Sequence, residues 1–309
     1  MKSRDLEKIF AVLRENFSFK KGIEVTCEAN PGDISKEKAR CLRSLGVNRV
    51  SLGAQTFHDR TLKQLNRVHN ARDIFESFGI LRKEGFGNIN LDLMLSLPGE
   101  TLDDVKFSLE KIVELSPEHV SLYELVVEEK TVFGRRAQKG KLALPHEETQ
   151  LEMLTFARKY LKAKNFEHYE LLNYAKAGFR SRHNLIYWAN GEYLGLGPGA
   201  FSYVDGRRFR HSSDFEEYMK KASGHDWSAF EEETLTGQKH EVESFLLALR
   251  LTEGASLKKF EPILKNMRNS VLDFSKKGLV EIKKGKIRFT ERGQFFAETI
   301  FSEFSSTEP

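Results

Sequence analysis

The chain has 309 residues, 39% of them hydrophobic and 30% charged, with a net charge of only +4. That length argues for about two domains, and so small a charge excess gives no reason to invoke nucleic acid. No apolar run approaches the ~18 residues that span a bilayer. The two cysteines, Cys27 and Cys41, are neither CxxC-spaced nor set in a histidine cluster and read as packing residues.

The opening "MKSRDLEKIFAVLRENF" reads as an amphipathic helix carrying acidic residues, not a signal peptide, so the expected location is cytoplasmic. Two periodicities then alternate. "GIEVTCEANP", "NRVSLGAQTF", "NINLDLMLSLPG" and "EHVSLYELVV" read as strands, with helices predicted over 36–45, 59–65, 71–84 and 102–115. Ser35 and Thr101 are N-cap residues and Gly46 is a helix stop. Strand and helix alternating through short links predict an α/β fold of parallel strands with right-handed crossovers. A long helix over 147–164 and a fifth strand, "FEHYELLNYA", follow. Residues 178–226 read as irregular, aromatic and glycine-rich. From Lys239 the pattern is helix, helix, a β-hairpin across Lys284-Gly285, and a last helix to Phe304, which is a winged-helix pattern with a domain boundary near residue 230.

The four early strands alternate in an unusual way. Glu24, Thr26 and Glu28 oppose Val25 and Cys27; Ser51, Gly53 and Gln55 oppose Val50, Leu52 and Ala54; Asn88, Asn90 and Asp92 oppose Ile89, Leu91 and Leu93; His119, Ser121 and Tyr123 oppose Val120 and Leu122. Parallel strands covered on both faces are almost wholly apolar, and each polar group buried without a partner costs about 1–3 kcal/mol. These rows must therefore meet water, one another or a polar ligand. A curved, barrel-like sheet with helices outside and a polar interior fits them.

Two constellations could carry chemistry. Glu28, Gln55 and Asp92 lie on the polar face or at strand ends, where parallel α/β sheets bind ligands, and Arg67 lies in "LNRVHN". Two carboxylates, an amide and a guanidinium suit a zwitterionic ligand bearing hydroxyls; an internal ion-pair network is the plainer alternative. In "SRHNLIYWANGEYLGLGPGAFS", a helix over 182–188 would put His183 and Tyr187 on one face. An imidazole among aromatic rings suits axial ligation of heme iron, and equally a hydrogen-bonded core histidine. The glycines that follow are spaced GxGxG rather than GxGxxG and read as a tight turn allowing close backbone approach.

Taken in order, "EVTCEANPGDIS", "GVNRVSLGAQTFHDRTLKQLNRVHN", "NINLDLMLSLPGET", "SPEHVSLYEL" and "RHNLIYW...YLGLGPGAFS" resemble the radical S-adenosylmethionine (SAM) heme chaperone family, a relative of oxygen-independent coproporphyrinogen III oxidase. The resemblance covers nearly the whole chain. It implies a partial (β/α)6 radical-SAM TIM-like barrel over 1–175, a connecting region over 176–230 carrying an HNxxYW motif, and a winged-helix-like domain over 231–309. It implies SAM contacts at Glu28, Gln55, Arg67 and Asp92, and His183 as ligand to heme iron. It further implies delivery of heme to membrane or respiratory acceptor proteins, an electron donor for a [4Fe-4S] cluster in the full-length form, and a cytoplasmic or membrane-peripheral location.

The departures carry expectations of their own. The family's CxxxCxxC cluster loop and GGTPS strand end do not occur, so the expectation is an N-terminally truncated barrel with its first strands missing, an unpaired edge near Val25, no cluster ligands and no radical catalysis by the chain as it stands. Phe201 and Ser181 stand where many relatives have His and Cys, which removes the obvious second ligands near His183. Two other functions remain open: a coproporphyrinogen oxidase of porphyrin biosynthesis, and a nucleic-acid-binding winged helix using Lys276, Lys277, Lys283, Lys284, Lys286 and Arg288. The second is disfavoured, since lysines on a wing are commonly a solvated face.

Overall fold

A computed structural model describes residues 1–128 and 130–306. The chain divides into two compact units, Met1–Arg180 and Ser181–Pro309. The first runs α1 (Ser3–Asn16), β1 (Thr26–Ala29), α2 (Lys36–Ser44), β2 (Arg49–Gln55), α3 (Asp59–Gln64), α4 (Ala71–Lys83), β3 (Ile89–Leu95), α5 (Leu102–Leu115), β4 (His119–Glu124), α6 (Val132–Gln138), α7 (Glu147–Ala163), β5 (Glu167–Glu170) and β6 (Asn173–Ala175). Among the described residues its strands form one six-stranded sheet in the order β1-β2-β3-β4-β6-β5.

β1 to β4 are parallel, as the alternation predicts. The expected single fifth strand is instead a hairpin: β6 runs antiparallel to both β4 and β5, so the sheet is mixed. The sheet is open among the described residues, with β1 and β5 at its edges. Its apolar face is Val50, Leu52 and Ala54 on β2, Ile89, Leu91 and Leu93 on β3, and Val120 and Leu122 on β4, all buried. Register sets these side by side, Leu52 beside Leu91 and Leu91 beside Val120. α4 packs on β2 and α7 on β3, contributing buried Ile74, Phe78, Leu81, Leu154, Ala157 and Leu161 to the core. Helix ends follow local chemistry: Ser35 accepts from the Lys38 amide, and Asn70 and Thr101 each close a reciprocal capping box with Asp73 and Asp104.

The second unit runs α8 (Arg182–Trp188), β7 (Phe201–Val204), β8 (Arg207–Arg210), α9 (Phe215–Ser223), β9 (Glu231–Thr234), α10 (Gly237–Leu249), β10 (Ala255–Ser256), α11 (Glu261–Asn266), α12 (Arg268–Lys276), β11 (Val280–Lys283), β12 (Lys286–Phe289), α13 (Glu291–Phe295) and α14 (Ala297–Ser306). β7 and β8, within the stretch expected to be irregular, form an antiparallel sheet with β9, and β10-β12-β11 form a second. Phe245, Phe260, Phe274 and Phe304 build an aromatic core by edge-to-face contacts at 5.5–5.7 Å. No helix among the described residues is long and apolar enough to cross a membrane.

Candidate functional site

The polar face of the first sheet is a connected network. Register places Glu28, Ser51, Asn90 and His119 side by side across β1 to β4, with Asp92 beside Ser121 one pleat further on. Asn90 is the hub. Its Nδ2 donates to Ser51 Oγ (2.6 Å) and Asp92 Oδ1 (2.7 Å), while its Oδ1 accepts from Ser121 Oγ (3.2 Å) and lies 2.6 Å from His119 Nδ1. Because that oxygen can only accept, His119 carries its proton on Nδ1, and its Nε2 accepts from the Tyr169 hydroxyl at 2.8 Å. Burial, with Arg49 nearby, pushes His119 well below its ordinary value and keeps it neutral. Each donor in this chain points onward to Asp92, which also accepts from Ser51 Oγ at 3.2 Å.

Asp92 is half-buried. Burial raises its carboxyl above the ordinary value; the hydrogen bonds from Asn90, Ser121 and Ser51 pull the other way, and the charge of Glu28 adds to the rise. The Tyr123 phenol is raised by burial and by the charges of Asp92, Glu170 and Glu28. Asp92, Glu170 and Glu28 thus all bear on Tyr123, and negative charge gathered in this way favours a cationic or hydroxyl-bearing ligand. Glu28 is exposed and borders a cavity of about 190 Å³ beside β1, shared with Cys27, Asn30, Asp33 and Leu42.

Gln55 and Arg67 both lie near Asn30, at the carboxyl ends of β1 and β2. Gln55 takes a left-handed conformation (φ +66°) where the β2–β3 register slips, an uncommon state for a side chain of this kind. Its amide folds back over Gly53: a Cβ on Gly53 would lie 2.7 Å from Gln55 Nε2 and 3.7 Å from Asn30 Oδ1. Arg67 Nη1 donates to that same Asn30 oxygen at 3.2 Å, and His69 Nε2 lies 3.5 Å from the Ala54 carbonyl. The four residues that the sequence singles out thus fall into two pairs, Glu28 with Asp92 and Gln55 with Arg67. Asn30 and Gly53 join the second pair and escape the sequence reading. The signals for them are an Asn-Pro-Gly strand end and a glycine inside a buried strand.

In the second unit Ser181 caps α8 by accepting from the Asn184 amide at 3.4 Å. His183 is exposed and stands edge-on to Tyr187, ring centroids 4.7 Å apart, with Tyr187 4.6 Å from Tyr193. The glycine turn is a close backbone approach, as its spacing predicts. A Cβ on Gly195 would fall 2.1 Å from the Phe201 carbonyl oxygen, and Gly195 N donates to Ser202 Oγ at 3.0 Å. That approach sets Leu194 and Leu196 beside Phe201, and all three are exposed, as is Ile186 on α8. His183 thus presents an exposed imidazole, a side chain able to ligate a metal, against the Tyr187 ring.

A family model described as the Radical SAM superfamily matches residues 2–112. The heme chaperone HemW of Bacillus subtilis (strain 168) is 38% identical over 286 residues, covering 91% of this chain and 76% of that protein. The heme chaperone HemW of Lactococcus lactis (strain IL1403) is 34% identical over 98% of this chain and 81% of that protein. The chain belongs to the HemW heme chaperone family. The fold agrees: the solved structure of Escherichia coli coproporphyrinogen III oxidase (HemN), a radical SAM enzyme, superposes with a TM-score of 0.84 at 20% identity, covering all of this chain and 75% of that one. The [4Fe-4S] chemistry that the superfamily implies needs clustered thiolates. Cys27 on β1 and Cys41 on α2 do not fit such a cluster, and no group of three or more potential metal ligands occurs among the described residues.

Proposed function

We propose that this chain binds heme through His183 and passes it to acceptor proteins, membrane or respiratory ones being the class in view. The observation that carries this reading is the exposed His183 imidazole standing against Tyr187, whose ring in turn meets Tyr193, in a unit that also exposes Ile186, Leu194 and Leu196. Imidazole would ligate the iron, and the apolar side chains would cover one face of the macrocycle. Titration of the purified chain with heme tests this. His183→Ala should lose the Soret shift and weaken binding by at least about tenfold, as loss of an iron ligand requires; an unchanged spectrum and affinity would remove His183 from the site.

SAM is proposed for the polar face of β1 to β4. It supplies a sulfonium, an ammonium, a carboxylate and ribose hydroxyls. Glu28 and Asp92 would accept from hydroxyl or ammonium groups, Arg67 would grip the carboxylate, and Gln55 would offer its amide from the gap that Gly53 leaves. Reductive chemistry would draw on an electron donor and on cluster thiolates other than Cys27 and Cys41.

We read residues 1–175 as part of a radical-SAM barrel, 176–230 as the HNxxYW-bearing connection, and 231–309 as winged-helix-like, on the order from α10 onward of helix, short strand, two helices, hairpin and helices. A cytoplasmic place with access to the membrane surface suits such a carrier. Porphyrin oxidation is the second reading, supported by the HemN fold alone. Turnover of coproporphyrinogen by a cluster-bearing form would favour it.

A further inference from the structure

We propose that Arg210 anchors a carboxylate of the planar ligand, and that Glu231 occupies this anchor when the ligand is absent; the inference rests on the heme reading above and deepens it. Arg210 lies on β8 directly opposite Phe201 of β7. Phe201 in turn adjoins the exposed Leu194–Leu196 segment through its contact with Gly195. The guanidinium lies near two half-exposed rings, 5.8 Å from the centroid of Phe201 and 4.7 Å from that of Phe230. Such cation–ring contacts restrict the guanidinium, and its edge can receive a planar anion.

That edge holds a carboxylate now. Arg210 Nε donates to Glu231 Oε2 at 2.9 Å and Nη2 to Oε1 at 2.8 Å, the paired geometry that distinguishes arginine from lysine. Glu231 is 62% exposed and begins β9, whose four residues are all exposed. The four side chains of this strand are all polar, and the buried Leu235 lies just beyond its end. The other arginines of β8 differ. Arg208 lies over the buried ring of Tyr203 and is shared between Glu233 and Glu243 of α10, which reads as structural. Arg207 is 57% exposed, pairs with Glu232 and has no stacked ring.

An apolar surface with one oriented guanidinium at its margin suits a macrocycle with hydrophobic faces and carboxylates on its rim. Heme has that form. Ligand carboxylate would replace the Glu231 carboxylate at the same donors, one anion for another, with no proton transferred.

The test separates carboxylate from iron. Wild type, Arg210→Gln and Glu231→Gln are titrated with protoporphyrin IX, which lacks iron, and with its dimethyl ester, which lacks the carboxylates. Arg210→Gln should bind the free acid about tenfold more weakly, as loss of a charge-assisted pair implies. Glu231→Gln should bind it several-fold more tightly, and neither change should alter ester affinity. His183→Ala should alter the heme spectrum, which reports the iron separately from the carboxylates. Equal free-acid affinity in wild type and Arg210→Gln, or weaker binding by Glu231→Gln, would overturn the anchor. If Arg210→Gln fails to fold, Glu231→Gln decides alone. A His183-dependent heme spectrum beside an indifferent Arg210 removes the anchor and leaves the heme reading; no porphyrin binding by wild type removes both.

Discussion

Two residues of the first unit hold conformations or charge states that cost the fold something. Gln55 sits at φ +66°, where a side chain costs about 1–2 kcal/mol relative to right-handed backbone and glycine costs nothing. Gln55→Gly should therefore raise stability in denaturant unfolding by about 0.5–1 kcal/mol, after the entropy of an added glycine is subtracted. It should at the same time lower affinity for SAM or S-adenosylhomocysteine, because the amide over Gly53 is gone. A variant no more stable than wild type would show that the left-handed bend is unstrained. Glu100, between β3 and α5, is pushed up from 4.5 to about 7, chiefly by burial, against the pull of hydrogen bonds from the Leu97 and Ser96 amides and with a further push from Asp104. A carboxyl whose folded value is raised holds its proton longer in the native state. Stability is then full below about pH 4.5 and is lost as pH rises to about 7. Glu100→Gln should match wild type near pH 4 and exceed it near pH 8 by an amount on the order of 2 kcal/mol. Denaturant midpoints at the two pH values measure this, and equal midpoints at both would place the charge in water.

At the scale of elements, the sequence is legible where local chemistry specifies the outcome. The span 102–115 can be placed to the residue because Thr101 and Asp104 close a capping box, and the wing-like hairpin because Lys284 and Gly285 both take left-handed φ, the turn that matches strand twist. β5 and β6 read as one strand because Leu171-Leu172 carries no turn residue. β7 and β8 escape the reading although Asp205-Gly206, with φ of +50° and +72°, is a turn signal of the same kind. β9 is invisible to propensity, since Glu-Glu-Glu-Thr is a poor strand; it exists by lying opposite the arginines of β8. For the site, strand alternation exposes the polar face but not its wiring. Asn90 as a hub, and Asn30 as partner of Arg67, depend on contacts across 29–39 residues of chain that no local pattern encodes.

At the scale of the whole chain, each unit carries its own core, a helix-covered sheet in Met1–Arg180 and a phenylalanine cluster in Ser181–Pro309. Both tryptophans, Trp188 and Trp227, belong to the second unit, so indole fluorescence reports on that unit alone. Phe245 is fully buried, with Phe260 and Phe304 at 5.5 and 5.7 Å. Phe245→Ala removes the ring that both contact, a change that costs about 3–5 kcal/mol in a well-packed core. The fluorescence transition should move to much lower denaturant, while amide-exchange protection of β2 and β3 stays as in wild type, because the Leu52–Leu91–Val120 packing loses no partner. Equal loss at both reporters would mean that the units unfold as one cooperative body.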